Sequence, residues 1–152
     1  MRPRRLTAFD YKGFHAYSLT FCTFERRPHF SAALVVECVA EEILRTATER
    51  AFQVLLYCFM PDHVHLLVAG GSPKSDLPSF ARASRARASV AFRRLSVGTL
   101  WQRGYFEHVV RDDERLDVIA RYIANNPVRA GLGRTSAEWP FTGGTLFRQS
   151  GV

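Results

Sequence analysis

The chain has 152 residues, of which 47% are hydrophobic and 23% charged, so its composition suits one globular domain and excludes a mainly disordered protein. Three scattered cysteines exclude a disulfide framework or a cysteine zinc site, and no apolar run reaches the roughly 18 residues of a membrane span. We therefore expect a reduced, cytoplasmic protein without a signal peptide, and the formal net charge of +7 favours an anionic partner.

Hydrophobic periodicity predicts four strands and three helices. In chain order they are a strand over residues 17–24, a helix over 36–47 capped by Ser31, strands over 54–60 and 63–69 joined by a Pro61-Asp62 turn, a helix whose apolar face runs from Leu77 to Leu95, a strand over 105–110, and a helix that begins at Asp112 or Asp113 and ends by Pro127.

The order βαββαβ predicts an α+β, ferredoxin-like split βαβ fold, with an antiparallel sheet covered by helices on one face. The other face is expected to stay open for a functional site, and the additional C-terminal helix carries Tyr122. We expect a single domain over residues 1–152, with a basic N-terminal arm over 1–15 and an irregular tail over 133–152.

The most informative local feature is the pair His63 and His65 on the third predicted strand. Residues at i and i+2 of a strand point to the same face, about 7 Å apart along the strand, so both imidazoles are able to converge on one ion. A His-x-His sequence is short and frequent, and two ordinary surface histidines are the alternative interpretation.

Tyr122 and Asn126 lie four residues apart, beside the apolar stripe of the last predicted helix. Each has an ordinary structural interpretation, as a packed tyrosine and as a helix end before Pro127. Together with the histidine pair, however, an amide oxygen and two imidazoles would hold a divalent cation next to a phenol. Such a cation stabilises the charge that develops when a phenol attacks a phosphate.

Three separated motifs make the sequence recognisable. They are YCFMPDHVHLLV at 57–68, WQRGYF at 101–106 and NPVRAGL at 126–132. Across about residues 17–132 the chain resembles the REP-associated tyrosine transposases, a branch of the HUH single-tyrosine transposases.

The resemblance implies that Tyr122 is the nucleophile, that His63 and His65 are metal ligands, and that Asn126 completes a site for Mg²⁺ or Mn²⁺. The implied reaction is metal-dependent cleavage and strand transfer of single-stranded DNA through a covalent phosphotyrosine. The implied substrate is a hairpin of a repetitive extragenic palindrome, bound by a monomer or a homodimer associated with the bacterial nucleoid.

The kind of positive charge also bears on the partner, because 19 of the 21 basic residues are arginine. Arginine binds phosphate in a bidentate manner, although a high-GC genome explains the same excess. If DNA is the partner, the arginines expected to contact it are Arg2, Arg4, Arg5, Arg82, Arg85, Arg87, Arg93, Arg94, Arg103 and Arg129.

Two alternatives stay open. One is a non-catalytic nucleic-acid-binding module with an RRM-like open sheet, which would need aromatic residues where the hairpin has His63 and His65. The other is a mobile-element transposase of the same superfamily that works as an obligate dimer and exchanges Tyr122 between subunits.

Overall fold

The computed structural model describes residue 6 and residues 8–150, with the backbone only for 148–150. Its strands are β1 (Ala16–Cys22), β2 (Phe52–Met60), β3 (His63–Gly70), β4 (Phe106–Val109) and β5 (Thr142–Gly143), and its helices are α1 (Ala33–Glu49), α2 (Leu77–Leu95), α3 (Leu116–Ala124), α4 (Asn126–Arg129) and α5 (Thr145–Ser150). Arg2, Arg4 and Arg5, predicted to contact DNA, lie outside the described residues. Within the described part of the chain, no helix is both long and apolar enough to span a membrane.

The five strands form one antiparallel sheet in the order β4-β1-β3-β2-β5. Without β5, this order and the chain order βαββαβ are those of the predicted ferredoxin-like fold, which is confirmed. The predicted hairpin is also present, since β2 and β3 pair from Met60 and His63 onwards. Strand β3 lies at the centre of the sheet, between β1 and β2.

One face of the sheet is covered by α1 and α2, as predicted. The alternation of β1 sends Tyr17, Leu19 and Phe21 to this face, where all three are fully buried in one cluster with side chains such as Ile43 of α1 and Phe80 of α2. Each such burial is worth about 1.5–3 kcal/mol, so this layer supplies most of the hydrophobic stabilisation. The side chains on the opposite face of β1 and β3 lie outside this cluster, and among them are Thr20, His63 and His65.

The opposite face was expected to be open, but the last helices cover part of it. The apolar stripe of α3, including Ala120, Ile123 and Ala124, packs against Cys58 of β2 and Leu67 of β3 in a second buried cluster. An apolar stripe must be buried against something, and β2 is apolar on both faces. The side of this face formed by β1 and β4 keeps exposed side chains.

The last predicted helix starts later in the structure than expected, and it ends before Pro127, as predicted. It begins at Leu116 rather than at Asp112 or Asp113, because the preceding acidic segment forms a turn in which the Glu114 carboxylate accepts a hydrogen bond from the Arg111 amide. At its other end, α3 is followed by a separate helical turn, α4, with Pro127 at its start. Proline is tolerated at the first turn of a helix, so it begins this turn instead of ending the preceding helix.

Two further expectations were wrong. Ser31 does not cap α1, because it lies in a 3-10 turn and Ala32 occupies the N-cap without a side-chain bond. The tail is not irregular throughout, because it contains β5 and α5. Gly143 packs against the ring of Tyr57, and Gly144 has a φ of +116° beside the backbone of β2. This close approach of glycine backbone produces no hydrophobic periodicity that a sequence pattern would reveal.

Candidate active site

The two histidines of β3 converge on one point. His63 and His65 share the face of the sheet opposite α1 and α2, and their Nε2 atoms lie 3.2 Å apart with the rings nearly perpendicular, at 86°. Metal–nitrogen bonds of about 2.0–2.1 Å place neighbouring ligands about 2.8–3.4 Å apart, the octahedral angle giving the lower end and the tetrahedral angle the upper end. The separation of the two nitrogen atoms therefore fits two adjacent ligands of a single metal ion.

Each imidazole also has a hydrogen-bond partner at its Nδ1 atom, on the side of the ring away from Nε2. His63 Nδ1 lies 2.7 Å from Asp62 Oδ1, and His65 Nδ1 lies 3.0 Å from the hydroxyl of Thr20 on β1. A carboxylate only accepts hydrogen bonds, so His63 carries its proton on Nδ1 and presents a lone pair at Nε2. The hydroxyl of Thr20 donates or accepts, and thus supports either tautomer of His65. Such outer partners orient the rings of metal-binding histidines.

A third partner lies behind Asp62. Its Oδ2 accepts a hydrogen bond from Arg26 Nε at 2.9 Å. Burial would raise the pKa of Asp62, but the hydrogen bonds from Arg26 and His63 outweigh burial and the pKa is lowered. The carboxylate therefore stays ionised and keeps the orientation of His63. The sequence analysis did not identify Asp62 or Thr20, although the first adjoins His63 and the second faces away from the core in the alternation of β1.

Burial is the main electrostatic influence on His65. Burial, followed by the electrostatic influence of the neighbouring His63 and Arg129, lowers the pKa of this imidazole to about 4. His65 is therefore neutral at neutral pH, the state in which an imidazole binds a metal. Cys58 lies directly across from His65 on β2, but burial raises the pKa of its thiol to about 11. The thiol therefore stays protonated at neutral pH in the metal-free protein.

Additional protein ligands of the usual kinds are not present. Among the described residues, no group of three histidine, cysteine or carboxylate side chains is placed to hold a metal. A metal bound by the histidine pair would therefore complete its coordination with neutral oxygen atoms, such as the Asn126 amide, and with phosphate or water. Mn²⁺ accepts this mixture of nitrogen and oxygen ligands more readily than Mg²⁺, which prefers oxygen alone.

Tyr122 and Asn126 are linked by an arginine. The guanidinium of Arg129 on α4 lies 3.9 Å from the centre of the Tyr122 ring and donates a hydrogen bond to Asn126 Oδ1. The same charge is near enough to lower the pKa of His65. Arg129 therefore contacts the predicted nucleophile and the predicted amide ligand together, on the side of the molecule where the histidines converge.

The phenol itself is open to solvent. Tyr122 is 65% exposed, and no hydrogen bond or ring contact joins it to either histidine within the described residues. The Asn126 oxygen, in turn, is occupied by the guanidinium of Arg129. The structure thus brings the two histidines together, whereas Arg129 joins the tyrosine and the asparagine to each other and acts on His65 through its charge.

The arginines of α2 lie on the layer that covers the opposite face of the sheet. Arg87 pairs with Glu49 of α1, and Arg85 lies under Trp101 and donates to the Gln102 carbonyl oxygen. These two side chains are engaged within the protein. The other predicted contacts are exposed, namely Arg82, Arg93, Arg94 and Arg103.

The comparisons with known proteins agree on one family. A sequence profile of the family described as "Transposase IS200 like" matches residues 13–126. A protein of Haemophilus influenzae described as "Putative REP-associated tyrosine transposase" is 26% identical over 111 residues, which are 64% of this chain and 62% of that protein. The REP-associated tyrosine transposase of Escherichia coli K12 is 24% identical over 100 residues, 66% of this chain and 59% of that protein. The matched regions thus span about three fifths of these relatives.

A solved structure has the same fold. It is described as a REP-associated tyrosine transposase bound to a REP hairpin, and it superposes with a TM-score of 0.79 over 99% of this chain and 86% of that chain. The sequence identity is 20%, so this likeness concerns the fold alone.

Proposed function

The chain belongs to the IS200-like transposase family, and from that membership and the histidine pair we propose that it cleaves and rejoins single-stranded DNA through Tyr122. The phenolic oxygen attacks a phosphorus atom, an O–P bond to tyrosine forms, and the P–O bond to one sugar breaks. The phenolic proton is transferred to the departing sugar oxygen, directly or through water. Attack by the hydroxyl of another DNA end reverses the step and gives strand transfer.

The observation that carries this proposal is the 3.2 Å separation of the Nε2 atoms, each on a ring anchored at Nδ1. His63 and His65 would hold Mg²⁺ or Mn²⁺, with Asn126 as a third ligand. When bound, the ion supplies positive charge for the phosphate oxygens in the transition state. His65 contributes by staying neutral, and both imidazoles are fixed because Asp62 and Thr20 hold them before the metal or the DNA arrives.

Arg129 has two roles in this proposal. With its guanidinium on Asn126 Oδ1 and over the ring of Tyr122, it holds both groups at the site. When a DNA phosphate enters, the guanidinium moves to a phosphate oxygen, which it binds better than an amide because the contact is charge-assisted. This movement frees the Asn126 oxygen for the metal and leaves the phenol beside the phosphorus.

The proposed substrate is hairpin DNA, of the kind found at repetitive extragenic palindromes. The relatives are described as REP-associated, and the structure with the same fold is described with a REP hairpin. The net charge of +7, carried largely by arginine, suits a phosphate backbone. The exposed arginines Arg82, Arg93 and Arg103 are the candidates for contacting the duplex part.

The test is the formation of a covalent adduct. Wild-type protein incubated with labelled hairpin oligonucleotides and Mn²⁺ should give a slowly migrating band on a denaturing gel. Tyr122→Phe should give none, because it keeps the ring over Arg129 and removes only the nucleophilic oxygen. His63→Ala should lose cleavage and keep most of the DNA binding. An adduct that persists in Tyr122→Phe would contradict the assignment of the nucleophile.

A mixing experiment decides whether the tyrosine acts within one chain or between two. Tyr122→Phe retains the metal site and His63→Ala retains the tyrosine. If two chains exchange tyrosines, the mixture regains adduct formation that neither variant shows alone. If Tyr122 serves its own histidine pair, the mixture stays inactive. Light scattering on the same samples gives the oligomeric state.

A further inference from the structure

The surface beside the histidine pair contains an exposed aromatic ring. On β4, Phe106 pairs directly with Thr20 of β1, and Thr20 pairs directly with His65 of β3. Residues directly opposite each other in an antiparallel sheet project to the same face. Phe106 therefore lies on the face of the histidine pair, two strands from His65. Since strands are 4.7–4.9 Å apart, the two positions are separated by about 10 Å.

This side chain is partly exposed to solvent. Phe106 is 37% exposed and belongs to neither buried cluster. Its neighbours in sequence behave differently, because Tyr105 and Trp101 pack against Phe21 in the core. The alternation of β4 thus sends Phe106 to the functional face and not to the core. Trp101 is buried, and Tyr105 is partly buried against the core, so neither ring is presented on this face.

We propose that Phe106 stacks against the nucleobase adjoining the phosphate that Tyr122 attacks, an inference that rests on the proposed function. A phosphate held at the histidine pair brings the next base within reach of a ring about 10 Å away. Stacking on an aromatic ring orients a single strand whatever its base, because every base has a flat face. Phe106 would then be a positioning residue that sets which phosphate faces the tyrosine.

The surroundings of Phe106 favour a base over a second protein. The strip around the ring is polar, with Ser18 and Thr20 of β1 and the exposed His108 of β4. A stable protein interface needs about 800 Å² on each partner. One aromatic ring within a polar strip is too small for that, but it matches the size of a single base.

The test combines variants of Phe106 with abasic oligonucleotides. The cleaved phosphate is first mapped from the covalent adduct of the wild type. Binding is then measured by fluorescence anisotropy in EDTA, with the intact hairpin and with versions that lack one base on either side of that phosphate. Phe106→Leu keeps an apolar side chain on β4 and removes the flat ring, whereas Phe106→Trp keeps the ring. The control is Phe14→Leu, an exposed phenylalanine that precedes β1, at the other end of the strand from Thr20.

We expect Phe106→Leu to weaken binding of the intact hairpin roughly tenfold, with Phe106→Trp and Phe14→Leu close to wild type. Removal of the stacked base should weaken wild-type binding by a similar factor and abolish the difference between wild type and Phe106→Leu. Equal affinities of wild type and Phe106→Leu for the intact hairpin would overturn the stacking proposal, as would an equal loss in Phe106→Trp. A wild type that forms no adduct with any hairpin would instead overturn the proposed function.

Discussion

Acidification is expected to destabilise the metal-free protein through His65, whose pKa is lowered to about 4. His65 is held beside Cys58 and Thr20, where burial, followed by the charges of His63 and Arg129, lowers its pKa from 6.5 to about 4. In the unfolded chain the same imidazole has its ordinary pKa. Between the two values, the unfolded state binds a proton that the folded state does not, so stability must decrease as the pH falls through this window.

The size of the effect follows from the shift. One pKa unit corresponds to about 1.36 kcal/mol, so a shift of His65 from 6.5 to about 4 amounts to about 3 kcal/mol once the pH is below both values. From pH 7 to pH 5, the loss from this residue alone should be about 2 kcal/mol. That is a large part of the stability of an ordinary domain.

The measurement is urea unfolding in EDTA at several pH values, for wild type and for His65→Asn, whose side chain does not titrate. Carboxylates affect both proteins alike and cancel in the difference. We expect the wild type to lose about 2 kcal/mol more than the variant between pH 7 and pH 5. Parallel curves for the two proteins would show that His65 does not titrate with a lowered pKa, and the reasoning on its neutral state would be refuted.

Three further predictions concern other parts of the molecule. Arg129→Ala should bind Mn²⁺ more tightly, because the guanidinium no longer occupies the Asn126 oxygen, and it should form the covalent adduct more slowly. Calorimetry measures the metal affinity and the denaturing gel measures adduct formation. Weaker metal binding would contradict the proposed competition between the guanidinium and the metal. Gly144→Ala should lower the free energy of unfolding by about 2 kcal/mol, because the φ of Gly144 is +116° and a Cβ there would lie 2.5 Å from the backbone of β2. An unchanged urea midpoint would exclude this packing of the tail. With a thiol reagent at pH 8, the native protein should be labelled at Cys38 and protected at Cys22 and Cys58, which are buried and whose pKa values burial raises. Unfolding in urea should expose all three thiols to the reagent. Rapid labelling of Cys58 in the native protein would be inconsistent with its packing against α3.

Local patterns predicted much of the fold. Period-two alternation and the Pro61-Asp62 turn led to the β2–β3 hairpin, and the apolar face from Leu77 to Leu95 led to α2 with its observed bounds. These predictions succeeded because each element buries its apolar side chains in a regular rhythm. Where hydrophobic periodicity is absent, the prediction of secondary structure failed. Examples are the acidic turn around Glu114 and the segment at Gly143 and Gly144, which packs the tail against β2.

The candidate site was predictable only in part. The i, i+2 spacing puts His63 and His65 on one face, because it depends on the geometry of a single strand. The hydroxyl behind His65 comes from β1, and its position depends on strand pairing across 45 residues of sequence. The link from Tyr122 through Arg129 depends in a similar way on the break between α3 and α4.

The sequence by itself determined the order of the elements, the common face of the two imidazoles and the family to which the chain belongs, because these follow from short-range spacing and motif order. Only the tertiary structure decided that Trp101 is buried in the core with Tyr105 packed against it, while Phe106 faces the functional side. It also decided that α3 covers part of the face expected to be open. The register of β4 against β1 and the packing of an apolar helix on the sheet depend on contacts between residues far apart in sequence. Such contacts produce no periodic pattern in the amino-acid sequence.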